Sequence, residues 1–138
     1  MSDGYAGRGT PQAPVRRAAH FPAAAPVDAY GDGGFRFAGM SHRGSLLCLP
    51  SGIYGWEVAN ATTIDAEALA RVVAEAGAID LLLLGGGRDL VPPPPSVRLA
   101  LADHGIRIDP MSTGAAVRTY NILLGEGRRV AAALVAVD

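Results

Sequence analysis

The sequence contains no lysine, and all 12 of its basic residues are arginine. Beside the heavy use of alanine, this fits the coding habit of a GC-rich bacterial genome and points to no function. Cysteine is nearly missing as well. Cys48 lies alone in the apolar run Leu46-Leu47-Cys48-Leu49, so no disulfide forms within the chain. A reducing compartment fits, and the thiol reads as a small buried hydrophobe. No continuous apolar run reaches membrane-spanning length, so a soluble globular domain is expected. Charge of either sign is not in excess. A net charge of −1 argues against a general nucleic-acid or membrane-surface binder.

Recognisable reaction chemistry is also missing. His20, His42 and His104 have no metal-ligand spacing, so each reads as a solvated histidine and no metal or cofactor is expected. Ser112 precedes a helix, but no G-x-S-x-G elbow surrounds it. Gly85-Gly86-Gly87-Arg88-Asp89 is neither a Walker A loop nor a G-x-G-x-x-G dinucleotide loop.

What the chain does contain is one domain's worth of alternating patterns in 138 residues. Residues 1–34 are rich in Ala, Pro, Gly and Asp, lack apolar periodicity and read as a disordered arm ahead of a domain over 35–138. Phe35 to Met40 alternates like a half-buried strand. Ser41 to Ser45 is turn chemistry and Leu46 to Leu49 a second strand, giving an expected hairpin. Pro50-Ser51-Gly52 turns again into a third strand, Ile53 to Val58, which carries the only tryptophan, Trp56.

The period then changes. Thr63 or Asp65 caps a predicted helix with Leu69, Val72, Val73 and Ala76 on one face, ended by Gly77. Ile79 to Leu84 is apolar on both faces, which predicts a central strand. Four prolines, Pro92 to Pro95, form a stiff connector whose last member opens a helix over Ser96 to His104. A short strand, Ile106 to Asp109, leads to a helix capped by Ser112 or Thr113 and burying Ala116, Tyr120, Leu123 and Leu124. Gly125 is the expected stop, and Arg129 to Val137 the final buried strand. Helix and strand alternating in this way favour right-handed crossovers and a largely parallel arrangement. The expected fold is a mixed α/β single domain, with an antiparallel β-hairpin layer in front and helix–strand units behind.

Parallel strands would put Gly85, Gly86, Gly87 and Arg88 on the same edge as Ser112 and Thr113, where open α/β sheets take ligands. Exposed backbone N–H groups, a helix N-terminus and the guanidinium groups of Arg88 and Arg118 define a candidate anion crevice. The plainer reading, which is preferred, is that three glycines make a tight exit from a buried strand. Tyr120, Asn121, Glu126 and Arg128 form a second polar group. Its preferred role is structural: Asn121 bonding backbone carbonyls and Glu126 pairing with an arginine, so that the helix is locked against the final strand.

Met111-Ser112-Thr113, Ala115-Ala116, Thr119-Tyr120-Asn121, Glu126-Gly127-Arg128 and Ala131 to Leu134 together resemble the signature of the Mth-type (DUF498-like) domain family. The likeness extends upstream through Phe35, Gly39, Gly44-Ser45, Pro50, Trp56, Leu84 to Gly87 and Gly105-Ile106. It covers roughly residues 33–137. That family includes the mitochondrial complex I assembly factor 3 and an adipogenesis-associated protein. The resemblance implies a compact mixed α/β domain with no catalytic residues to carry over. It also implies a non-enzymatic interaction module with protein partners, subunits of a membrane respiratory complex among them. The expected location is the cytoplasm, peripheral at the inner membrane. Gly87 and the prolines after it depart from the family pattern. An anion-binding protein or enzyme using the glycine-rich crevice is the alternative.

Overall fold

The computed structural model describes residues 19–138. Much of the expected arm, residues 1–18, lies outside the described residues. The rest of the arm is corrected, because Val27–Gly31 forms strand β1. With Gly34–Phe37 (β2) and Met40–Arg43 (β3) it builds a three-stranded antiparallel sheet in the order β1-β2-β3. Both joints are two-residue turns with positive φ at each position: Asp32 at 52° and Gly33 at 78°, then Ala38 at 49° and Gly39 at 75°. Such turns match the right-handed twist of paired strands.

These turns move the expected hairpin. Ser41 to Arg43 is not a turn but most of β3, with His42 opposite Phe35. The chain reverses at Ala38-Gly39, beginning three residues after Phe35, so Phe35 and Phe37 pair locally and not with Leu46 to Leu49.

The larger sheet has the order β5-β4-β8-β6-β7. Ser45–Leu49 (β4) pairs antiparallel with Gly52–Trp56 (β5) and with Val130–Leu134 (β8). Leu81–Gly85 (β6) runs parallel to β8 and to Arg107–Met111 (β7). The antiparallel front and parallel back are as the residue patterns predicted.

Strand periodicity divides the apolar residues between two cores. Leu47, Leu49, Trp56, Leu82, Leu84, Ala131 and Ala133 face one side, where they meet Leu69, Val72, Val97 and Leu101. Leu46, Cys48, Ile53, Leu83, Ala132 and Leu134 face the other, against Phe35, Phe37, Ala116 and Tyr120. Strands β4, β6 and β8 are therefore apolar at successive positions because both faces are covered. Burying one such leucine contributes about 1.5–3 kcal/mol.

The helices depart from expectation in detail. The predicted helix after Thr63 breaks into a 3-10 turn at Glu67–Leu69, the short α1 at Ala70–Ala74, and another 3-10 turn at Ala76–Ala78. Asp65 accepts the Ala68 N–H at 2.8 Å, whereas the Thr63 hydroxyl donates to the Asn60 carbonyl. Glu75 leaves helical geometry as its carboxylate reaches across to the Ser51 N–H at 2.9 Å. Pro95 opens α2 (Pro95–Ala102). Helix α3 runs Thr113–Gly125, and Gly127, at φ 74°, takes the left-handed position in place of Gly125.

Candidate functional site

Strand β6 leaves the sheet at Gly85, and a Cβ there would lie 2.9 Å from Thr113 Cα. Only glycine permits so close an approach of strand end and helix start. Gly86 N–H donates to Met111 O at 2.9 Å, and Gly87 N–H donates to Thr113 Oγ1 at 2.9 Å. Thr113 Oγ1 donates in turn to Val135 O at 2.7 Å, and Thr113 N–H donates to Gly87 O at 2.8 Å. The fully buried Thr113 side chain thus ties the ends of β6 and β8 to the start of α3. Ser112 Oγ accepts the Ala115 N–H at 3.2 Å as the helix cap.

This geometry corrects part of the expected crevice. Gly85, Gly87 and Thr113 are buried, and the N–H groups of Gly86 and Gly87 are committed within the protein. Arg88 and Arg118 are exposed. With Ser112, Gly114 and Tyr30 they line an open depression of about 570 Å³. Its other charged lining residues are Asp89 and Asp138, so two guanidinium groups are set against two carboxylates. Tyr30, which the sequence reading left in the arm, lays its hydroxyl directly on Gly114, where any Cβ would collide with it. The dipeptide Asp32-Gly33, a hairpin-turn signal, was the clue to this strand.

The second polar group does not assemble as one site. Asn121 faces β1 and not the final strand: its Oδ1 accepts the Val27 N–H at 2.9 Å and its Nδ2 donates to Val27 O at 2.8 Å. Tyr120 is buried among apolar residues, and burial first, then the neighbouring Cys48 charge, pushes its phenol up. Burial pushes the Cys48 thiol from 9.0 up to about 12. Glu126 and Arg128 meet at 3.9 Å in solvent, a geometry that contributes little.

His42 is a further correction. It lies half-buried on β3, with Nε2 3.0 Å from Ser45 O and its ring centroid 4.7 Å from that of His20. Trp56 is only 8% exposed and donates its indole N–H to Ala68 O at 2.8 Å. Tyr54 is half-buried beneath the Arg71 guanidinium, 4.3 Å from the ring centroid. Among the described residues, the large apolar side chains that face solvent are Tyr30, Leu90, Leu99 and Ile122. Among the described residues no three His, Cys, Asp or Glu side chains are grouped to hold a metal ion, and no helix is long and apolar enough to cross a membrane.

The class defined here is a mixed α/β single domain whose interior polar groups tie its own elements together. Residues 27–135 match the model of a family described as a protein of unknown function, DUF498/DUF598, and the chain belongs to that family. An uncharacterised protein of Rhodobacter capsulatus is 44% identical over 115 residues, covering 83% of this chain and 87% of that one. The mouse NADH dehydrogenase [ubiquinone] 1 alpha subcomplex assembly factor 3 is 30% identical over 115 residues, covering 83% of this chain. The match takes in 62% of the mouse protein, so this chain spans under two thirds of that relative. A crystal structure described as an outer membrane protein of Bartonella henselae is 53% identical with a TM-score of 0.83, over 86% of this chain and 100% of that one.

Proposed function

We propose that this protein is a non-enzymatic interaction module acting in the assembly of a membrane respiratory complex. Subunits of complex I are its proposed partners, and the cytoplasmic face of the inner membrane its place of action. The observation that carries this reading is the 30% identity to an assembly factor for that complex, extending over 115 residues and not confined to one motif. The internal commitment of Thr113 and Asn121 supports it, because the polar atoms of these side chains are spent on holding elements together. The test is affinity isolation of the tagged protein from gently solubilised native membranes, read by mass spectrometry against an unrelated α/β bait. Enrichment of complex I subunits is expected. If none rises above the control bait, the assembly reading fails.

A second reading rests on one specific arrangement: Arg88, Arg118, Ser112 and the Tyr30 hydroxyl around one open depression. A phosphate- or carboxylate-bearing metabolite bound there would raise the melting temperature by binding the native state. At 100 times its Kd the stabilisation would be about 2.7 kcal/mol. Arg88→Ala would abolish the shift. A metabolite panel that stabilises nothing at millimolar concentration ends this alternative.

A further inference from the structure

The two sheets have four outer strands between them, and three of the four edges are closed. Asn121 takes the N–H and C=O of Val27 on β1. The segment at His20 and Phe21 takes both polar groups of Ile53 on β5. On β7, Pro110 has no N–H and the Arg98 guanidinium donates to Ile108 O. The fourth outer strand is β3. It follows β2 through the two-residue turn at Ala38-Gly39, and in such hairpins the residues flanking the turn exchange both backbone bonds. Phe37 with Met40 and Phe35 with His42 are therefore the bonded pairs. The bond from Gly44 N–H to Gly33 O, at 2.7 Å, continues the same alternation. Ser41 and Arg43 alternate with the bonded residues and turn their N–H and C=O groups away from β2. Among the described residues no group donates to or accepts from these main-chain atoms.

The side chains along this edge are sorted by character. Arg36, Ser41 and Arg43 share the outer face of the small sheet. Arg36 stands opposite Ser41, and Arg43 is its diagonal neighbour, with about 7–8 Å between the two arginine positions. All three are exposed, and they border one hollow of about 390 Å³ in which Asp32 is the sole acidic lining residue. Asp32 receives Arg43 on its backbone carbonyl, at 3.5 Å. Among the described residues no carboxylate forms an ion pair with Arg36 or Arg43. On the inner face of β3, Met40 is half-buried against the core that holds Phe35 and Phe37. The edge thus offers backbone donors and acceptors, with guanidinium groups on one side and an apolar margin on the other.

We propose that the β3 edge is the docking site for an extended acidic segment of another protein, which joins the small sheet as a fourth strand. Its backbone pairs with Ser41 and Arg43. Asp or Glu at alternate positions faces the two guanidinium groups, and the apolar residues between them lie beside Met40. A second copy of β3 meets the backbone pattern equally well but not the charge. With His42 on the twofold axis, Ser41 faces the partner's Arg43, and the arginines of both copies gather on one sheet face. Neither β2 nor β3 carries an acidic residue to offset them. Charge therefore selects an acidic partner over self-pairing. This inference does not depend on which complex the domain serves.

The test uses the full chain and two synthetic peptides. One is acetyl-Thr-Glu-Val-Glu-Val-Glu-Thr-amide, and the other has lysine in place of each glutamate. Nitrogen-15 NMR reads the amides of Ser41 and Arg43. The acidic peptide is expected to shift both signals and to slow their exchange with solvent about tenfold at saturation. The lysine peptide should leave them in place. Ser41→Pro removes one outward N–H without touching the bonds to β2, a substitution that edge strands accept, and should abolish the shift at Arg43. R36E/R43E keeps the edge and should reverse the preference, taking the lysine peptide and not the acidic one. Melting temperatures establish that each variant is folded, and either variant decides alone if the other is not. The proposal is overturned if the acidic peptide leaves Ser41 and Arg43 unmoved at millimolar concentration, or if the lysine peptide acts alike. It is also overturned if the acidic peptide moves only signals around Arg88 and Arg118. Protection of the two amides that grows with protein concentration in the absence of peptide would equally overturn it, by making the occupant a second copy.

Discussion

At the scale of single residues, Asn121 acts as a substitute strand. Its amide offers one acceptor and one donor to the backbone of Val27, as a neighbouring strand would, and so completes the edge of β1. Asn121→Ala removes both bonds and leaves a part-buried N–H and C=O unmet, at a cost of about 1–3 kcal/mol. Urea unfolding should report that loss, with amide exchange accelerated at Val27 and unchanged in β8. A change under about 0.5 kcal/mol, the size of an ordinary surface substitution, would show that water replaces the clamp. Cys48 and Tyr120 set the alkaline limit. The folded protein keeps the Cys48 proton up to about pH 12, whereas an exposed thiol releases it near 9.0, so the folded state binds more protons between those values. Stability present below pH 9.0 is therefore lost as pH rises toward 12, by up to about 1.4 kcal/mol per pH unit for this one group. The raised Tyr120 phenol acts in the same direction. The urea midpoint should fall above pH 9, and Cys48→Ala should flatten the fall. An identical slope in that variant would assign the effect elsewhere.

At the scale of elements, two turns decide which strands pair. Asp32-Gly33 and Ala38-Gly39 both place consecutive residues at positive φ, and only Ala38 does so with neither a glycine's freedom nor a local polar side chain. A left-handed alanine costs roughly 1 kcal/mol, so Ala38→Gly, which relieves strain but loosens the unfolded chain, should be neutral to mildly stabilising. A thermal melt that drops by several degrees would mean that the turn differs from the one described. The edges of the larger sheet are closed by different devices. On β7, Pro110 offers no N–H and the Arg98 guanidinium donates to Ile108 O at 3.1 Å. On β5, the segment at His20 and Phe21 takes both polar groups of Ile53. The alternating pattern predicted these strands as strands. It carried no mark of how their edges are closed, because that depends on side chains and segments distant in sequence.

At the scale of the whole molecule, two large apolar side chains face solvent from the helices. Leu99 on α2 is 66% exposed and Ile122 on α3 is 61% exposed, and both belong to helices whose other faces are buried. Neither side chain is needed for the core. Leu99→Asp and Ile122→Asp should therefore change stability by no more than about 0.5 kcal/mol. If one of these faces meets the proposed respiratory partners, its aspartate variant should lose their capture from solubilised membranes while keeping its melting temperature. Retention of all partners by both variants would move the docking surface to the sheet edges.

Periodicity by itself determined the elements of the larger sheet. Leu81 to Leu84 and Val130 to Leu134 are apolar at every position, and that is enough to make them central strands covered on both sides. The helix starts at Pro95 and Ser112 were equally legible, because capping chemistry is local. Tertiary structure decided the rest. The alternation in Phe35 to Arg43 is compatible with several partners, and strand register is a long-range choice that the two positive-φ turns settle. Thr113, read as a ligand group beside a glycine loop, became a buried bridge because β6, β8 and α3 end within hydrogen-bond reach of one hydroxyl. Tyr30 and Asn121 found their roles only when β1 was laid against α3, with Tyr30 over Gly114 and Val27 bonded to Asn121, 94 residues further along the chain. Local patterns fix what a segment is, whereas contacts between distant segments fix what its polar atoms are free to do.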